Sequence, residues 1–163
     1  MKEIMKEINA VFLSLLPISE LRGGIAYAAV AGLNPIKAFL ICTAANLLVS
    51  PLIFLFLSTL HKLLIKTKPY KKFFDKTLKR INKRTKDYEK KHRVLGYFAL
   101  TLFTAIPLPY TGAYTSSLIA WVLGLKKNKS IAAISIGVII AGIIVTISAY
   151  GIKSLVNFLV GIF

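Results

Sequence analysis

The sequence predicts an all-α integral membrane protein. It reads as an inverted repeat of two halves, each a re-entrant helical hairpin followed by a spanning helix, with a basic cytoplasmic helical segment between them. Three observations predict this. Of the 163 residues 56% are hydrophobic, and two apolar runs, 36–60 and 130–152, are long enough to cross a bilayer. Two further apolar blocks, 8–33 and 94–125, are broken in the middle by charge, proline or glycine. The same order of pieces then occurs twice along the chain.

Residues 8–33 form the first broken block. Glu20 is the only carboxylate inside any hydrophobic block, and Arg22 the only arginine inside one. A single straight helix would place both at mid-membrane, at a cost of about 5–7 kcal/mol on insertion scales. The apolar residues of the block return only about 3–7 kcal/mol, before Pro17 and the Gly23-Gly24 pair weaken the helix. A hairpin that dips in and returns to the same side suits these residues better, because irregular backbone at membrane depth is tolerated where protein or a wet cavity surrounds it. On this reading Pro17 ends the first arm, Gly23-Gly24 turns the chain, and the charges sit at the tip. Gly32-Leu33-Asn34-Pro35 is the turn that follows.

Residues 36–60 form a spanning helix interrupted by Asn46 and Ser50-Pro51. Pro51 kinks it and frees a carbonyl. Asn46 is either an interhelical hydrogen-bonding residue or a polar group on a central cavity. Residues 61–93 are polar and hold 14 of the 22 Lys and Arg. Tyr70, Phe74, Leu78, Ile81 and Tyr88 fall on one face of a helix from about Pro69 to Lys91. The net charge of +16 invites a nucleic-acid reading. A basic block between two hydrophobic halves reads instead as a cytoplasmic segment under the positive-inside rule, and next as a contact for anionic lipid headgroups. No nucleic-acid partner is expected.

Residues 94–125 form the second broken block, interrupted at Ile106-Pro107-Leu108-Pro109-Tyr110-Thr111-Gly112, where a helix cannot continue. The return arm carries Thr115, Ser116 and Ser117, which permit close approach and can satisfy freed carbonyls. Trp121 is expected near a membrane interface. Residues 130–152 span, with Ala133, Gly137 and Ala141 as a packing stripe. Residues 154–163 either extend that helix or lie in the interface.

At an offset of 92 residues Pro17 falls on Pro109, Ala28 on Ala120, Val30 on Val122 and Gly32-Leu33 on Gly124-Leu125. Two re-entrant hairpins would give two halves of opposite orientation, the plan of many transporters with discontinuous segments meeting at the midplane. A four-span arrangement gives the same charge balance and also puts 61–93 in the cytoplasm. It differs in placing both termini inside the cell rather than outside.

The function classes narrow by subtraction. One cysteine, Cys42, allows no internal disulfide. His61 and His92 flank the polar segment, and no His/Cys cluster has metal spacing. No phosphate loop, cofactor motif or nucleophile–base pair is visible, so neither cofactor, metal nor enzyme chemistry is expected. Lys2 and Lys6 alternate with Glu3 and Glu7 without a small-residue cleavage site, so no signal peptide is expected.

Glu20-Leu21-Arg22-Gly23-Gly24-Ile25, Asn46 with Pro51, and Pro107-Leu108-Pro109-Tyr110-Thr111-Gly112-Ala113-Tyr114-Thr115 resemble the motifs of the small multidrug export protein family. The likeness covers nearly the whole chain. That family is distantly similar to the DedA/SNARE-associated membrane proteins. The wider resemblance implies two opposed re-entrant hairpins and lipid movement, including polyprenyl phosphates. Glu20 matches the acidic tip of the first hairpin there, and Pro107 the proline of the second. Where that group places arginines around the second tip, this chain has Thr104 and Tyr110, which leaves Arg22 as the phosphate-binding candidate.

The expected function is a small transporter or lipid flippase for an amphiphile, either a lipid phosphate or a lipophilic cation. Glu20 is the candidate proton-linked group, since a carboxyl group taken out of water can load and release a proton near neutral pH. Arg22 is its partner or an anion site. Tyr110, Thr111 and Tyr114 line the facing tip with Pro107, and Asn46 lines the wall. A homodimer is expected from the small size. The alternative is a scaffold in which Glu20 and Arg22 staple the hairpins together.

Overall fold

A computed structural model describes residues 2–64, 89–108 and 111–160. It contains seven helices among the described residues and no strand. They are α1 (Lys2–Leu15), α2 (Glu20–Ala31), α3 (Pro35–Leu47), α4 (Val49–Leu64), α5 (Glu89–Ala105), α6 (Ala113–Val122) and α7 (Lys127–Val160). The amphipathic helix expected over 69–91 lies almost wholly outside the described residues, as do Pro109 and Tyr110.

α1 and α2 run antiparallel. At the open end Lys6 Nζ donates to Ala31 O at 2.7 Å, and Asn9 Nδ2 donates to the Tyr27 hydroxyl at 3.2 Å. Near the closed end Gly24 lies against α1, and a Cβ there would collide with Ser14 Oγ and stand 2.5 Å from Ala10 O. This corrects the expected turn. The chain reverses at 16–19, around Pro17, while Gly23 and Gly24 lie inside α2. The physical reason is packing: the missing Cβ lets two backbones approach, and no turn is needed from it.

α5 and α6 form a second antiparallel pair. Lys126 N, just past α6, donates to the Tyr97 hydroxyl of α5 at 3.1 Å. At the far end the reversal occupies 106–112. The closed ends of the two pairs face each other across the middle of the molecule.

Both pairs end in the same way. Gly32 and Gly124 take left-handed φ values of 81° and 65°. Leu33 N then donates to Ala28 O, and Leu125 N to Ala120 O, both at 3.0 Å. This is the Schellman cap, and only glycine adopts that φ without a Cβ penalty. Asn34 then caps α3, accepting from Ile36 N at 3.0 Å with Pro35 in the first turn.

The long helices sit between and beside the pairs. α3 and α4 meet at Leu48, where the helix breaks. Pro51 is the cause: it has no N–H for Leu47 O, four residues back. α7 spans 34 residues, about 51 Å. Near its start Thr101 Oγ1 of α5 donates to Ala133 O at 3.0 Å. Near its end the Tyr150 hydroxyl donates to Leu33 O at 2.9 Å, and Lys153 Nζ to Ala29 O at 2.6 Å. α7 therefore reaches from the open end of the second pair to the open end of the first.

Pro35–Leu60 and Lys127–Asn157 are long and apolar enough to cross a membrane, and only 39% of each one's apolar window is buried. Leu52, Leu55, Phe56, Leu102, Ile136 and Ile147 face outward, whereas Ser14, Asn46, Ser50, Thr104, Ser116 and Ser117 are buried. An apolar exterior around a polar interior suits lipid rather than water as the surrounding solvent.

Candidate functional site

The candidate site lies where 16–22 meets 106–114. Each of the four helices that reach this level stops short of crossing the molecule, and each leaves unpaired carbonyls or N–H groups at its tip. Away from water these groups must find partners in the protein.

The tip of α1 is satisfied by three side chains. Ser19 Oγ donates to Leu13 O at 2.5 Å, Asn46 Nδ2 to Ser14 O at 3.3 Å, and the Tyr114 hydroxyl to Leu15 O at 2.5 Å. The tip of α5 and the turn after it are satisfied by two. Arg22 Nη2 donates to Ile106 O at 3.3 Å and to Thr111 O, and Nη1 donates to Leu108 O. Thr111 Oγ1 bonds to Ile106 O at 2.8 Å and Leu108 O at 2.7 Å, and receives Arg22 Nη2 at 3.0 Å.

Glu20 meets the opposite pole. It is buried, 8% exposed, and its carboxylate lies over the first turn of α6, accepting from Tyr114 N at 3.4 Å. Thus the guanidinium lies at the carbonyl end of α5 and the carboxylate at the N–H end of α6. Both placements match the helix macrodipoles. Glu20 and Arg22 form no ion pair; the salt bridge found among the described residues is Lys37–Glu7, at 2.5 Å on the surface. The expectation that Arg22 is the direct partner of Glu20 therefore changes: each is bonded to the other hairpin.

Two local features hold the carboxylate there. Glu20 itself has a φ of 46°, in the left-handed region. For a residue with a Cβ this conformation costs about 1–3 kcal/mol and persists only where the surroundings impose it. Gly112 leaves the room: a Cβ on it would coincide with the Glu20 carboxylate.

Of the residues expected from sequence, Glu20, Arg22, Asn46, Thr111 and Tyr114 come together at this level. Pro107 is an exposed residue of the same turn, and Tyr110 lies outside the described residues. Sequence reasoning missed Ser14, Thr104 and Gly112. Thr104 Oγ1 donates to Leu100 O at 2.7 Å and shares a 2.7 Å bond with Ser116 Oγ. The signal for Gly112 was present, since a glycine one residue before a helix is a place of close approach. Thr104 was signalled only by its place at the second tip in the wider resemblance, and Ser14 had no signal, because a lone hydroxyl in an apolar run commonly bonds its own helix.

Between these groups lies a small cavity on the scale of a single water, lined by Glu20, Arg22, Asn46, Thr104, Gly112 and apolar neighbours. Among the described residues no group of three or more His, Cys, Asp or Glu is placed to hold a metal ion.

No curated protein and no solved structure matches the chain. One protein family does, over residues 20–144, a stretch that begins at Glu20, just past the first reversal, and takes in the whole of the second. By that match, which covers well over half of its residues, the chain belongs to the family described as "Putative small multi-drug export protein".

Proposed function

We propose that the protein is a small membrane transporter moving an amphiphilic substrate, with Glu20 as its working charge. The observation that carries this is the contrast between the two buried charges. Arg22 has its terminal nitrogens committed to the Ile106, Leu108 and Thr111 carbonyls. Glu20 accepts only from backbone N–H groups at the start of α6, those of Tyr114, at 3.4 Å, and Ala113. The group with unspent capacity is the carboxylate, which favours a lipophilic cation over a lipid phosphate as the substrate. The family's description, a multi-drug exporter, is of the same kind. Proton coupling through Glu20 follows from the chemistry: a buried carboxyl alternates between a charged and a neutral form as it meets each side.

The two pairs act as opposed re-entrant hairpins, each returning to its own membrane face, with α3–α4 and α7 as spanning helices of opposite direction. The matched Gly32 and Gly124 caps support this inverted repeat. The basic 61–93 segment faces the cytoplasm against anionic headgroups, and two copies associate as a homodimer in the cell membrane.

The test is reconstitution of the full chain in liposomes. Movement of a lipophilic cationic dye and of an anionic isoprenoid phosphate is followed with and without a pH gradient. Gradient-driven dye movement is expected, falling about tenfold or more in Glu20→Gln, the effect of one lost contact to a charge. Dye movement unchanged in folded Glu20→Gln rejects the assignment. Movement of the isoprenoid phosphate instead, lost in Arg22→Gln, makes the protein a lipid flippase.

A second reading has its own observation. Each charge bonds the opposite hairpin, so both serve as staples. The scaffold reading predicts that neither probe moves in the folded wild-type protein, while Glu20→Gln and Arg22→Gln each lower the unfolding temperature.

A further inference from the structure

We infer that the exposed face of the two tips is the surface on which a second copy of this chain docks, each protomer covering the other's Arg22. The inference names the interface of the proposed homodimer and rests on that reading. α7 runs from one open end of the molecule to the other, and the two reversals meet between those ends. In a bilayer crossed by α7 they stand near mid-depth. There they are uncovered. Leu16, Pro17 and Ile18 of the first tip are exposed, Ile18 by 89%, and so are Ile106, Pro107 and Leu108 of the second. Arg22 is only half-buried, and its bond from Nη1 to Leu108 O lies at the surface.

Lipid covers such a face badly. Irregular backbone at membrane depth stands against protein or a water-filled cavity, and a guanidinium turned toward the hydrocarbon is costly. A water-filled cavity would in turn wet the apolar side chains of both tips. A second copy meets both demands. Inserted in the same orientation, it carries its own reversals at the same depth. A two-fold axis along the membrane normal then sets tip against tip, the same patch on both protomers. The apolar side chains pack on their counterparts, and the outer edge of Arg22 and the 106–108 backbone are shut away from lipid. The cavity lined by Glu20 and Arg22 lies at this level, so the site is sealed on that side only in the pair.

Two measurements on the full chain test this. One is the oligomeric state of the wild-type protein in native-membrane nanodiscs. The other is copper-phenanthroline oxidation, in membranes, of Ile18→Cys, Leu108→Cys and Ile147→Cys. All three positions are exposed, where substitution costs little stability. Ile147 stands toward the Lys153 end of α7, and the native Cys42 is buried. A dimeric wild type is expected, with Ile18→Cys and Leu108→Cys running at twice the monomer mass. Their cross-linking should exceed that of Ile147→Cys by about tenfold or more, since thiols held at an interface see a high effective concentration. Ile18→Cys should also resist a membrane-impermeant maleimide in permeabilised cells. A dimeric wild type that cross-links at Ile147→Cys and at neither tip keeps the homodimer and overturns this interface. Equal cross-linking at all three positions reports collision and overturns it as well. Maleimide labelling of Ile18→Cys overturns it by showing that the tips line water. A monomeric wild type removes both the interface and the homodimer reading.

Discussion

At Gly112 a single methyl group would occupy the place of the Glu20 carboxylate. The obstacle is the end of a flexible side chain, so the chain can yield by swinging Glu20 away. Gly112→Ala should therefore keep the unfolding temperature within a few degrees and abolish gradient-driven transport in the liposome assay. Gly24 is the contrasting case. There a Cβ meets Ser14 Oγ and the backbone oxygen of Ala10, which cannot step aside. Gly24→Ala should destabilise the protein by about 1–3 kcal/mol, read as a lower denaturation midpoint, through overpacking between α1 and α2. The pair separates a glycine that makes room for chemistry from one that makes room for packing.

Each short helix ends in the middle of the molecule, and side chains from other elements complete its hydrogen bonding. The Tyr114 hydroxyl on Leu15 O ties α6 to the tip of α1. Tyr114→Phe keeps the ring and removes that donor. It should cost about 1–3 kcal/mol, the effect of leaving a half-buried carbonyl unsatisfied, with the loss visible in thermal unfolding. Ser50 and Ser117 join α4 to α6 in the same manner, hydroxyl to hydroxyl at 3.0 Å. Phe54 and Trp121 pack together beside them with ring centroids 6.4 Å apart. Such contacts bond whole helices to one another beside the closed ends.

Across the whole molecule, the open end of α1–α2 and the end of α7 near Lys153 lie together, while the open end of α5–α6 and the start of α7 lie together. In the membrane these two ends should face opposite sides. Cys42 is buried, so single cysteines report with little background. Cysteines at Asn34 and Gly151 should react with a membrane-impermeant maleimide added outside cells. One at Lys127 should react only after permeabilisation. A four-span arrangement predicts the reverse for these two positions, with 127 labelled from the outside and 151 only after permeabilisation, and that outcome removes the re-entrant plan.

The amino-acid pattern alone determined the membrane class, the two broken hairpins, the break near Pro51 and the Gly-Leu turns. These follow from transfer free energies and local backbone rules, which act over a few residues. Glu20, Arg22 and Asn46 were legible because polar groups in apolar runs demand partners, and Thr111 and Tyr114 because a proline-rich break exposes its neighbours. The identity of those partners was decided only by tertiary structure. Arg22 reaches a carbonyl 86 residues away, and Glu20 a backbone N–H 94 residues away. Main-chain groups carry no sequence signature, and the same glycine can turn a chain or admit a neighbour. For that reason Gly23-Gly24 looked like the turn, while the parts played by Ser14 and Thr104 appeared only once the two tips met.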